Sequence, residues 1–141
     1  MGRVVIACFR PLPGKADALR ALTETHVQRL RDLGLATPRS GIAMETPDGD
    51  VIEVFEWVSD DAIAHAHEHP EVLAMWAEYE QCCTYVPVSE VAGADSLFPD
   101  FTPLPTVGCP PHAARRRLGQ LGAGRRVRAA WGRIGPWPRP R

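Results

Sequence analysis

The stretch "GIAMETPDGDVIEVFEWVSDDAIAHAHEHPEVLAMW", residues 41–76, decides the fold. "RSGIAMET" and "DVIEVFEWV" are strand-like, and "PDGD" between them holds a glycine able to supply the positive φ of a hairpin turn. Successive side chains alternate across a strand. Val51, Glu53, Phe55 and Trp57 therefore share one face, and Ile52, Val54, Glu56 and Val58 share the other. Both faces are mostly apolar, so both call for cover. Helices provide one cover, and a second copy of the same sheet is the simplest provider of the other.

After Trp57 the period changes. Ser59 suits an N-cap, with Asp60 and Asp61 in the first turn, where acids complement the positive end of a helix. Pro70 suits the first position of a new helix, "PEVLAMWAEYEQC". "HAHEHPEVLAMW" is thus two helices meeting at a corner.

Towards the N-terminus, "RVVIACFR" (3–10) is a β-branched apolar run, read as a strand buried on both faces. "KADALRALTETHVQRLRDLGL" repeats Leu19, Leu22, His26, Leu30 and Leu33 at helical spacing, and Gly34 is placed to stop it. Towards the C-terminus, "TYVPVSEV" (84–91) is a last strand, assigned to an edge by Pro87. An arm with three anchors, Leu97, Phe98 and Phe101, follows. The order β-α-β-β-α-β over about 100 residues is the split-βαβ, ferredoxin-like pattern of the α+β class.

The 141 residues carry a net charge of −1 that conceals a split. All 17 acidic residues lie in 1–100 beside 7 Lys/Arg, and 7 − 17 gives −10. Residues 105–141 hold 9 Arg and no acid, giving +9. Residues 1–104 are therefore expected to form the domain. The Arg/Pro/Gly-rich tail 105–141 lacks an apolar period and is expected to be disordered, because it cannot offset its ordering entropy. With Trp131 and Trp137, its composition is compatible with nucleic-acid binding, but folding back on the acidic body, or no role at all, ranks higher. No run of 18 apolar residues occurs, so no membrane span is expected. The 4 cysteines form no C-x-x-C, and adjacent Cys82 and Cys83 are poorly placed to bridge. Free thiols and a cytoplasmic location are the expectation.

"FEWVSDDAIAHAHEHPEVLAMW" resembles the strand-end, helix, helix segment of the antibiotic-biosynthesis-monooxygenase-like (ABM) proteins, in the dimeric α+β barrel superfamily. The matching features are Glu56-Trp57 at the strand end, the Ser/Asp cap, Ala66-His67 closing a short helix, and the proline corner. The hairpin "GIAMETPDGDVIEVFEW" fits as well, and the resemblance spans roughly residues 3–90. It implies a homodimer whose two sheets face one another, and a cleft between each sheet and its helices. For activity it implies a cofactor-independent monooxygenase, or a binding protein for a planar aromatic ligand. The alternative is a non-catalytic dimeric module of the same fold. Haem-degrading members use an asparagine on the first strand, whereas this chain contains no asparagine. No cofactor is expected.

His26 occupies a stripe position that calls for leucine, so it is either a satisfied core histidine or the border of a cavity between helix and sheet. His67, the residue matching the resemblance, is either hydrogen-bonded to the helix corner or a proton carrier. These two are the catalytic candidates. Trp57, Trp76 and Tyr79 are the candidate walls for a planar ligand, the other reading being ordinary core packing. Glu53 and Glu56 lie on opposite strand faces and form no carboxylate dyad; a buried one would be a base or a hydrogen-bonded structural group. His65 and His69 have the i, i+4 spacing of metal ligands, but Pro70 breaks the helix beside them, so they are read as solvated and no metal site is expected.

Overall fold

The 41–57 hairpin forms as its sequence implies. In the computed structural model, which describes residues 1–108, strand β2 (Ile42–Glu45) pairs antiparallel with β3 (Val51–Trp57), setting Ile42 opposite Val54 and Glu45 opposite Val51. Gly49 sits at φ 91°, and the Thr46 N–H donates to the Asp50 carbonyl at 2.9 Å to close the turn. Strand β1 (Arg3–Pro11) lies antiparallel on the other side of β3, and β4 (Cys83–Val86) pairs with β1. The sheet order is β4-β1-β3-β2-β5, where β5 is Thr102–Leu104. The β1–β2 and β3–β4 connections each skip one strand, and the β4–β5 connection passes three, giving an α+β domain built on a five-stranded antiparallel sheet.

Helix α1 (Ala16–Asp32) spans the first crossover; α2 (Asp60–Ala66) and α3 (Pro70–Glu80) together span the second. The caps are those the sequence offers. Ser59 accepts from the Ala62 N–H at 3.1 Å, Pro70 opens α3, and Gly34 follows α1 at φ 73°. All three helices cover one face of the sheet. Phe9, Val51, Phe55 and Trp57 from the strands pack there against Leu19, Leu30, Val72, Met75 and Tyr79 from the helices. Leu19 and Leu30 are fully buried. Each such side chain contributes about 1.5–3 kcal/mol of apolar transfer.

The opposite face is covered only in part. The chain returns across it after β4, through the 3₁₀ turn Val88–Glu90, and seals Cys8 and Ile52 beneath Val91, with Met44, Val86, Ala94 and Phe101 around them. Arg10 fastens this arm by donating to both carboxylate oxygens of Asp50 (3.0 and 2.8 Å) and to the Glu90 carbonyl (3.2 Å). Val4, Ile6 and Ile42 stay 61%, 57% and 58% exposed. The first strand is therefore not buried on both faces within one chain. The last strand stops at Val86 rather than at 91, because Pro87 has no N–H with which to extend the ladder. Of the three arm anchors only Phe101 packs; Leu97 and Phe98 stand 87% and 84% exposed. Residue 107 returns to α1, its N–H donating to the Glu24 carbonyl at 2.8 Å. The expected disorder of 105–141 falls, from residue 109 onward, outside the described residues.

Candidate functional site in the helix–sheet interior

The buried face of α1 carries two polar residues, Thr23 and His26, and the inner face of β3 carries one, Glu53; His26 and Glu53 meet. His26 Nδ1 lies 2.6 Å from Glu53 Oε2, with side-chain exposures of 2% and 0%. A carboxylate beside Nδ1 selects the tautomer in which Nδ1–H donates, leaving the Nε2 lone pair free. Among the described residues Nε2 has no hydrogen-bond partner, and neither does Glu53 Oε1 or the Tyr79 hydroxyl. The His26 ring meets Tyr79 of α3 at 5.2 Å and Phe55 of β3 at 5.5 Å, both edge-on. Phe55 in turn meets Trp57 at 5.3 Å, and Tyr79 meets Phe9 at 4.9 Å. A polar nucleus thus sits inside an aromatic shell.

Burial, and after it the Glu53 charge, push the Tyr79 hydroxyl well above the usual phenol range, so it remains a donor. Thr23 opposes this slightly. Its hydroxyl already donates to the Leu19 carbonyl at 2.9 Å and makes no bond of good geometry with Tyr79. Trp57 Nε1 is a further buried donor without a partner among the described residues, on a side chain 1% exposed.

His26, Trp57 and Tyr79 are therefore joined through ring contacts. His67 and Trp76 form a second group at the α2–α3 corner, with rings T-shaped at 5.0 Å and His67 Nε2 unpartnered. No ring contact joins the two groups among the described residues. His65 and His69 lie outside both. His69 Nδ1 accepts from the Glu71 N–H at 3.2 Å and caps α3, and the two imidazoles stand 5.7 Å apart. Among the described residues, no group of three or more His, Cys, Asp or Glu could hold a metal ion. Two buried thiols are disfavoured as thiolates: burial first raises Cys83 to about 12 and Cys8 to about 11, and Cys83 donates to the Tyr79 carbonyl at 3.2 Å.

The pairing of His26 with Glu53 is the feature that the sequence reading did not reach, although it named both residues. The signal was present. One polar residue in a helix stripe, and one on the strand face that stripe must cover, have each other as the nearest available partner.

No helix among the described residues is long and apolar enough to cross a membrane. No protein-family model matches the chain, and no curated protein matches it significantly. Among solved structures, that of Rv0793 from Mycobacterium tuberculosis is similar, at 27% identity and a TM-score of 0.49, over 62% of this chain and 87% of that one.

Proposed function

We propose that the chain is an ABM-like, dimeric α+β barrel domain that takes a small planar aromatic molecule between helices and sheet and oxygenates it without a cofactor. One observation carries this reading: the buried His26–Glu53 pair leaves two polar atoms, His26 Nε2 and Glu53 Oε1, without a hydrogen-bond partner among the described residues, with the Tyr79 ring packed against the imidazole. Each such atom destabilises the domain by about 1–3 kcal/mol unless something satisfies it. A ligand bearing hydroxyl and carbonyl groups supplies the missing partners.

The roles follow from position. Glu53 holds the imidazole and stabilises the imidazolium that forms. His26 Nε2 takes the proton from an acidic ring CH₂ or hydroxyl. Tyr79 donates to the oxyanion this creates. Trp57 forms a wall beside the pair, and His67 and Trp76 belong to the reading only if the ligand extends to the α2–α3 corner. The ligand anion supplies the electrons to O₂: one oxygen atom ends as the new ring carbonyl, replacing the two hydrogens of the CH₂, and the other leaves with them as water. The dry interior keeps bulk water from quenching the anion. In the dimer, the open half of the outer face, Val4, Ile6 and Ile42, meets its counterpart in the partner sheet.

A non-catalytic dimeric module is the second reading, and it has its own support. His26 and Glu53 are 2% and 0% exposed, so a ligand reaches them only if α1 and α3 part. Oxygen uptake with a panel of hydroquinones and anthrones separates the two. Under the first reading His26→Ala lowers turnover by about 10²–10⁴-fold and Glu53→Gln by less, with a smaller loss for His67→Ala. Turnover unchanged in His26→Ala removes the dyad from the chemistry. Absence of both turnover and aromatic-ligand binding in the wild type leaves the module. Separately, Ile6→Asp is expected to convert the dimer to a folded monomer in sedimentation, and a wild-type monomer refutes the barrel.

A further inference from the structure

We infer that the arginine-rich segment 109–141 docks on the outer face of its own helix layer, in the groove between α1 and α3. Three observations converge there. The first is where the described chain ends. Val107 donates to the Glu24 carbonyl, and Gly108 lies against Gln28 and Arg31, so the segment departs from the outer surface of α1.

The second is the groove itself. It is lined by Asp32 and Leu33 at the end of α1, by Glu71 and Met75 at the start of α3, and by Arg29. The Arg29 guanidinium is engaged by Glu78 at 3.3 Å. Among the described residues Asp32 accepts only from the neutral Gln28 amide, at 2.8 Å, and Glu71 forms no ion pair. Two carboxylates over an apolar floor suit an arginine. Its methylene stem covers Leu33 and Met75 while its planar fork reaches the acids.

The third is charge. Residues 1–108 hold all 17 acids and 7 Lys/Arg, so 7 − 17 gives −10; residues 109–141 hold 9 Arg and no acid, giving +9. Docking nearly neutralises the chain.

The reach is ample. Asp32 lies one helical turn, about 6 Å, beyond Gln28. The seven residues from Gly108 to Arg115 can span about 23–25 Å. The first basic cluster, Arg115–Arg117, therefore arrives at the groove with slack. A docked segment bridges α1 and α3, the helices that carry His26 and Tyr79.

Full-length protein with a nitroxide on Ala123→Cys, in a Cys109→Ser background, tests this. The remaining thiols, Cys8, Cys82 and Cys83, are buried and label poorly. The Met75 and Leu33 methyl signals should broaden selectively at about 20 mM salt and recover at about 0.5 M, where the Debye length has shrunk severalfold. Replacing Arg115, Arg116 and Arg117 by Ser should restore them at low salt, as should Asp32→Asn with Glu71→Gln. No selective broadening, or broadening that survives both sets of substitutions, overturns the inference. Broadening seen only between differently labelled copies assigns the segment to a second copy and also overturns it. Salt-dependent binding of duplex DNA by a protein whose groove signals never broaden sinks it in favour of nucleic acid.

Discussion

The two faces of the sheet solve the same problem differently. Strand β3 places Glu53 and Glu56 three residues apart on opposite faces. Inside, Glu53 meets a single partner, His26 at 2.6 Å, with no solvent and with Oε1 left over. Outside, Glu56 accepts from Arg39 at 2.7 Å and from Thr37 at 3.0 Å near the rim. Water satisfies whatever the outer pair leaves unmade, so that pair is replaceable. The inner pair is locked, because removing either partner strands the other in an apolar core. The difference identifies where the fold sacrifices stability, and so where a function is to be sought.

The largest expected effect breaks the inner pair. His26→Leu leaves the Glu53 carboxylate without its partner and should lower stability by about 3–5 kcal/mol in urea unfolding. Adding Glu53→Leu should recover most of that loss, because an apolar pair fills the same space without polar atoms to satisfy. Strong positive coupling in this cycle is the signature of the locked pair. If the double variant is as unstable as the sum of the single ones, the two side chains act independently, and the contrast with the outer face disappears.

A second comparison separates the two covers rather than the two glutamates. Cys8 lies under the returning arm, beside Val91 and Phe101; Cys83 lies under the helices. Both thiols are raised by burial, to about 11 and about 12, so Cys8 and Cys83 should resist alkylation in the native protein at neutral pH. The arm is short and held mainly by Arg10 and Phe101, so it should open locally, while the helix layer should open only with the whole domain. Phe101→Ala should therefore speed alkylation of Cys8 by about tenfold and leave Cys83 at the global unfolding rate. Equal acceleration of both thiols by mass spectrometry would show that the arm and the helix layer open as one unit.

The pattern of residues made most of the inner face legible, and much less of the outer one. Leu19, His26 and Leu30 fall on one stripe, and Val51, Glu53, Phe55 and Trp57 on one strand face, so local periodicity alone specifies which side chains turn inward. The caps Ser59 and Pro70 and the turn glycine Gly49 are equally local. Nothing local reveals that residues 88–101 return over Cys8 and Ile52, or that Leu97 and Phe98 point outward while Phe101 points in. Those depend on contacts distant in sequence: Arg10 with Asp50 and Glu90, and β5 with β2. For the same reason the sequence supplied His26 as a candidate without its partner. A helix period identifies an anomalous side chain and not the residue 27 positions away that answers it.

The smallest expected effect belongs to Glu56, and its pH dependence completes the contrast. Arg39, and then Thr37, hold its carboxyl below the usual glutamate range. A depressed folded-state value means that the contribution is present above the ordinary glutamate value and is lost as pH falls through the depressed one. Urea midpoints of the wild type and of Glu56→Gln should thus differ slightly at neutral pH and converge as pH falls below the depressed value. About 0.5 M salt should also shrink the neutral-pH difference, since the pair lies at the rim with Arg39 69% exposed and is screened. The inner-pair cycle should keep its coupling in the same salt, because no solvent ions reach it. A Glu56→Gln difference that persists unchanged in acid and in salt would show that the outer pair is shielded too, and that the two faces of β3 differ in partner and not in access to water.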